Sequence, residues 1–169
     1  REELGLTGKR VLLFFGFIRA YKGLQYLLEA IEKLPATDAY HLLVVGEFYE
    51  PSSDYPSLAG LVSENRLTLV DRYVANEEVP KYFAAADLLV MPSHYESLSM
   101  VTLEAWALGR PVLANGRCDV LCGQCIRSNG GLYYESYEEF AETLHAIVSN
   151  STLRNALGMN GRAYFNTHY

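Results

Sequence analysis

The stretch Asp87-Leu88-Leu89-Val90-Met91-Pro92-Ser93-His94-Tyr95-Glu96-Ser97-Leu98-Ser99-Met100-Val101-Thr102-Leu103-Glu104-Ala105 decides the fold. Asp87–Met91 reads as a buried strand that Pro92 stops, and Leu98–Leu108 reads as a helix. Ser97 or Ser99 is suited to cap that helix. The amides of Ser99, Met100 and Val101 would then point out of the helix start, where an anion binds readily. Glu96 lies just ahead of that point and Glu104 two turns inside the helix, among apolar neighbours. A carboxylate accepts two hydrogen bonds at once, which suits the vicinal hydroxyls of a sugar.

The same strand-then-helix grammar extends in both directions. Val11–Phe15 is read as a strand ended by Gly16, followed by Leu24, Leu27, Leu28, Ile31 and Leu34 at helical spacing, closed by Pro35. His41–Val45 is a strand ended by Gly46, residues 47–57 a loop, 57–64 a short helix and Leu67–Val70 a strand. A helix begins near Asn76. Pro111–Ala114 and Gly131–Tyr134 read as strands, and 137–149 and 152–165 as helices. Strands apolar on both faces, each followed by a helix, indicate an α/β domain with a parallel sheet covered on both sides. Right-handed crossovers make it Rossmann-like and doubly wound, with ligands gathered at the carboxyl ends of the strands.

Composition narrows the function. Half of the 169 residues are hydrophobic and 20% charged, which fits one globular domain spanning 1–169. A formal net charge of −6, with basic residues scattered singly, argues against nucleic acid. No apolar run approaches the ~20 residues that span a bilayer, and no leader opens the sequence. Three clustered cysteines form no disulfide framework, so a reducing cytoplasm is the expected compartment.

The loop after the first strand, Gly16-Phe17-Ile18-Arg19-Ala20-Tyr21-Lys22-Gly23, is the second candidate. Lys22 stands at the start of a helix, where a cation is unfavourable unless an anion offsets it. The loop is neither the G-x-G-x-x-G of dinucleotide binders nor a phosphate loop of nucleotide hydrolases.

Taken together, the two loops resemble the C-terminal domain of the GT-B retaining glycosyltransferases of family 4, over nearly the whole chain. The family pattern is a G-R-x-x-x-x-K-G loop, a P-S-x-x-E stretch, and E-x₇-E running into E-A-x-x-x-G-x-P-V. The matching residues are Gly16, Lys22 and Gly23; Pro92, Ser93 and Glu96; then Glu104, Ala105, Gly109, Pro111 and Val112. The resemblance implies that Lys22 and Glu96 act in catalysis, Lys22 on the donor diphosphate and Glu96 on hydroxyls of the transferred sugar. It implies that the backbone at Ser99, Met100 and Val101 holds the diphosphate, that Glu104 binds the ribose, and that Val74 contacts the base through its backbone. Phe17 stands where the family has arginine, with Arg19 the nearest replacement charge, and Ser97 and Ser99 stand where it has glycines.

The implied activity is metal-independent hexosyl transfer from a nucleoside diphosphate sugar, a substrate rather than a cofactor, with retention at the anomeric carbon. The acceptor would be held by an N-terminal domain that this sequence does not supply, and the ending at Tyr169 stops before the family's terminal helix crosses back. No D-x-D occurs, and His94 is assigned no role. Other readings compete: a sugar-nucleotide epimerase, and a non-catalytic donor-binding module. Cys118-x₃-Cys122-x₂-Cys125 has the spacing of an iron–sulfur motif, but it follows the fifth strand of an open sheet. Glu96 and Glu104 as a hydrolase pair would lie ~12 Å apart if both were on one helix, beyond the ~5–9.5 Å such carboxyls need.

Overall fold

The computed structural model describes residues 1–35 and 40–169. Among these residues six strands form one parallel sheet: β1 (Arg10–Phe15), β2 (Tyr40–Val45), β3 (Leu67–Val70), β4 (Leu88–Met91), β5 (Val112–Asn115) and β6 (Gly131–Tyr134), in the spatial order β3-β2-β1-β4-β5-β6. The helices are α1 (Leu24–Lys33), α2 (Ser57–Ser63), α3 (Val79–Ala85), α4 (Met100–Ala107), α5 (Asp119–Ser128), α6 (Tyr137–Ser149) and α7 (Ser151–His168). The expected doubly wound α/β architecture is the one observed.

The strand sequences explain the layering. Side chains alternate across a sheet, and here both faces are dry. Leu12 and Phe14 of β1, Leu42 and Val44 of β2 and Val90 of β4 pack with Leu24, Leu28, Leu61, Phe140 and Leu144, so α1, α2 and α6 cover one face. Val11 and Leu13, Leu43 and Val45, and Leu89 pack with Phe83, Leu103, Trp106 and Leu121, so α3, α4 and α5 cover the other. Consequently α1, which follows β1, and α4, which follows the adjacent β4, leave the sheet on opposite sides. The strand order reverses there, and a crevice opens between the two loops.

Three details depart from the sequence reading. Residues 119–128, which carry Cys122 and Cys125, form α5, ended by Asn129 at φ +46°. Gly123, Gln124 and Ser128 blur its apolar face, which is why periodicity missed it. The helix read from Leu98 begins at Met100, with Ser99 as its cap. The 47–57 loop is tied down: the Ile18 amide donates to Glu47 O at 2.9 Å and the Tyr49 amide to Ile18 O at 3.1 Å, and Ser52–Asp54 form a 3-10 turn.

Close helix contact comes from α4 against α7. A Cβ at Gly161 would sit 2.1 Å from Trp106 Cδ1, and Trp106 donates its indole N–H to Gly130 O at 2.9 Å. Gly161→Ala is therefore expected to destabilise by about 1–3 kcal/mol, read as a lower urea midpoint at unchanged slope.

One buried polar residue of the sheet is His41, 1% exposed, with Nε2 2.8 Å from Thr68 Oγ1 and Nδ1 3.1 Å from both Asn65 O and Lys9 Nζ. Burial first, then the Lys9 charge, lowers its pKa from 6.5. The unfolded chain thus takes up a proton near the ordinary imidazole value while the folded one resists it. Stability is expected to fall as pH drops through about 6.5. A melting-temperature series from about pH 7.5 to 5.5 should show that slope, and His41→Gln should flatten it.

Candidate functional site

Gly16 and Gly46 set the crevice. The Gly16 amide donates to Val45 O at 3.0 Å, and a Cβ on Gly46, whose φ is +154°, would lie 1.8 Å from Gly16 O. Only glycine lets the loops after β1 and β2 approach this closely. Across the switch point, the His94 amide donates to Tyr21 O at 3.0 Å, and a Cβ on Gly23 would meet Pro92 O at 2.5 Å. The loop after β1 is thus packed directly on the loop after β4.

A cleft of about 380 Å³ results, lined among others by Gly16, Arg19, Lys22, Val74, Val101 and Glu104. Six of the nine residues singled out by sequence share this wall, although they come from the loops after β1 and β3 and from α4. Ser99 and Met100 do not line it, but they begin the helix that carries Val101 and Glu104 into it. Ser99 is 2% exposed; its Oγ accepts from the Thr102 amide at 3.3 Å and from the Thr102 hydroxyl at 2.9 Å. The amides of Ser99, Met100 and Val101 find no acceptor among the described residues. They remain free donors at the positive end of the helix.

Glu104 is half-buried, and no cation or hydrogen-bond donor meets its carboxylate among the described residues. Burial alone raises its pKa from 4.5. A partly desolvated carboxylate without a partner is costly, and a ligand hydroxyl would relieve that cost.

Glu96 lies elsewhere. It lines a neighbouring hollow with Tyr21, Tyr95 and Arg117, and its Oε1 accepts from Lys22 Nζ at 2.7 Å, with side-chain exposures of 8% and 20%. Sequence reading gave these two residues separate tasks; the structure joins them in one shielded ion pair between the two cavities. Glu96 precedes α4 rather than lying on it, so the helical spacing estimate for a Glu96–Glu104 hydrolase pair does not apply. The two carboxylates face different cavities instead.

Arg19 reaches the cleft, its guanidinium 4.3 Å over the Tyr49 ring, and Phe17 packs edge-on against the same ring at 5.1 Å. Val74 is 9% exposed in a loop held by Arg72, which donates to both Glu78 oxygens at 2.8 Å and to Tyr73 O at 3.1 Å. The Arg72 hydrogen bonds, with one from Lys81, hold the Glu78 carboxyl down at about 2. This clamp and Tyr49 were missed by sequence reading, because the residues carry no motif and meet only through the loop's shape.

The cysteines fall on α5 and its cap: Cys118 is the capping position, Cys118 and Cys125 are buried, and Cys122 is half-buried. Burial pushes the Cys125 thiol up to about 12, away from the thiolate that ligates iron. Among the described residues no group of three or more His, Cys, Asp or Glu side chains is placed to hold a metal ion, and no helix is long and apolar enough to cross a membrane.

The model of the family "Glycosyl transferases group 1" matches residues 9–150. A D-inositol 3-phosphate glycosyltransferase of Xylanimonas cellulosilytica is 34% identical over 169 residues, covering 96% of this chain and 40% of that protein. The chain thus spans well under half of that relative. The crystal structure of the C-terminal domain of a group 1 family protein (LpcC) from Francisella tularensis superposes with a TM-score of 0.83 at 24% identity, covering 99% of this chain and 90% of that one. Anabaena Alr3699/HepE in complex with UDP-glucose superposes at 0.84 with 22% identity, over 100% of this chain and 47% of its own. A crevice at the β1/β4 switch point, walled by a lysine loop and a helix tip, therefore sits in a chain that belongs to the glycosyl transferases group 1 family and has the fold of its C-terminal GT-B domain.

Proposed function

We propose that the cleft binds a nucleoside diphosphate sugar and that the chain is the donor half of a hexosyltransferase. The carrying observation is that Lys22, Val101 and Glu104 line one cleft beside the free amides of the α4 start. In this reading the diphosphate lies against those amides and draws the Lys22 ammonium toward it, exchanging part of the Lys22–Glu96 pair for contact with phosphate. Glu96, released in part from Lys22, accepts hydroxyls of the transferred sugar. Glu104 accepts from the ribose, the backbone at Val74 meets the base, and Arg19 adds a cation at the cleft wall.

The reaction would be transfer with retention. The anomeric carbon–oxygen bond to the diphosphate breaks as an acceptor hydroxyl oxygen bonds to the same carbon, and the hydroxyl proton ends on the departing diphosphate. Negative charge grows on the diphosphate as the bond loosens, so the preorganised helix-start dipoles and Lys22 stabilise the transition state more than the ground state. These groups supply the charge stabilisation without a divalent ion. The acceptor would be held by an N-terminal domain of the longer protein, in the cytoplasm. UDP-glucose, present in the Anabaena complex, is the first donor to test.

Lys22→Ala and Glu104→Ala are each expected to weaken UDP-glucose binding by about 1.5–3 kcal/mol in a calorimetric titration; unchanged affinity would falsify the site. Because the Glu104 pKa is raised, its carboxylate form is lost at higher pH than an ordinary glutamate's as the solution is acidified. Donor affinity should therefore fall early on acidification, and Glu104→Gln should remove that pH dependence. The chain on its own is expected to bind donor without transferring it. Release of free nucleotide without acceptor would instead point to epimerase chemistry.

A further inference from the structure

Beside the donor cleft runs a second depression. The hollow of about 500 Å³ at Glu96 is walled by Tyr21, His94, Tyr95, Arg117 and Asp119. His94 and Arg117 are also walls of an adjoining hollow of about 260 Å³, closed on its far side by Tyr26, Lys33 and Glu135. The two share a rim and make one furrow along the carboxyl ends of β4, β5 and β6. The farther hollow has no wall residue in common with the cleft of Gly16 and Glu104.

Its floor is held rigidly. Asn115, 6% exposed, donates from Nδ2 to Pro92 O at 3.3 Å and Ser93 O at 3.4 Å, while its Oδ1 accepts the Arg117 amide at 3.1 Å. The backbone of Arg117 is thereby fixed to the loop that carries Glu96. The Arg117 guanidinium itself has no hydrogen-bond or ion-pair partner among the described residues. Tyr21, Tyr26 and Tyr95 are 42%, 53% and 77% exposed along the furrow, and Tyr26 is set by an edge contact to His94 at 4.9 Å.

Exposed tyrosine rings interspersed with carboxylates and one free guanidinium match sugar rings. The apolar C–H face of a pyranose stacks on an aromatic ring, and its hydroxyls bond to carboxylates and guanidinium. A strongly anionic ligand would meet Asp119 and Glu135 here, and an apolar one would leave Arg117 unpaired. Two joined hollows leading from Glu96 also exceed the space one sugar ring needs.

We infer that this furrow is a second acceptor subsite, additional to the one an N-terminal domain would supply, for the outer sugars of an oligosaccharide of two or more sugars whose reacting end lies at Glu96. The inference rests on the donor reading only in taking Glu96 as the place of transfer.

The test is a glycan array of monosaccharides and defined oligosaccharides probed with the chain, with UDP-glucose titrated in parallel by calorimetry. Tyr26→Ala and Arg117→Ala are compared with the unaltered chain; both residues are exposed, and melting temperatures check folding. The expected result is binding to some oligosaccharides, weakened about tenfold in each variant at unchanged UDP-glucose affinity. UDP-glucose binding with no oligosaccharide bound would overturn the furrow and leave the donor site standing. Oligosaccharide binding that neither variant weakens would overturn its location. Variant-sensitive oligosaccharide binding without UDP-glucose binding would keep the furrow and sink the donor reading, whereas no binding of either kind would sink both.

Discussion

The site depends on the direct packing of the loop after β1 against the loop after β4. Gly23 lies under Pro92, the His94 amide bonds to Tyr21 O, and Lys22 reaches Glu96 at 2.7 Å. These contacts form where neighbouring strands send their helices to opposite faces of the sheet. At this point the helices diverge, so the loops and the α4 start surround a cavity instead of a core.

A pair as shielded as Lys22 and Glu96 costs desolvation that the ion pair repays only in part. The pair makes sense as a resting arrangement that a ligand can reorganise. On the proposed donor reading, the pair would hold the lysine ready for a diphosphate while keeping Glu96 from being an uncompensated buried charge. Glu104 differs: its carboxylate sits half-buried with no partner among the described residues and its pKa is raised. The two acids have the same side chain but different electrostatic environments, because one loop faces a lysine and the inner turn of α4 does not.

Phe17 lines the cleft and packs against Tyr49 beside it. Where the resembling enzymes carry arginine, this chain has an exposed aromatic ring packed edge-on against Tyr49, whose own ring carries the Arg19 guanidinium. Arg19, two residues on, reaches the cleft wall with its guanidinium over an aromatic ring, an arrangement worth a fraction of a kcal/mol to ~2 kcal/mol depending on desolvation. Ser99, in place of a family glycine, is taken up in capping α4 through Thr102, so its hydroxyl is already engaged.

Much of this was written in the amino-acid order. Doubly apolar strands such as Leu42–Val45 and Leu88–Met91 allow only a sheet covered on both faces, and their alternation with helices makes it parallel. The glycine, lysine and glutamate spacings picked out the two loops because such residues answer to local demands, a tight turn and a helix start. Helix α5 escaped because Gly123, Gln124 and Ser128 weaken its periodicity. Only the tertiary structure decided that Lys22 pairs with Glu96 across 74 positions of sequence, that Glu96 and Glu104 face separate cavities, and that Asn115 sets Arg117 beside them. Such contacts depend on the register and twist that bring distant loops together, and no local periodicity encodes them.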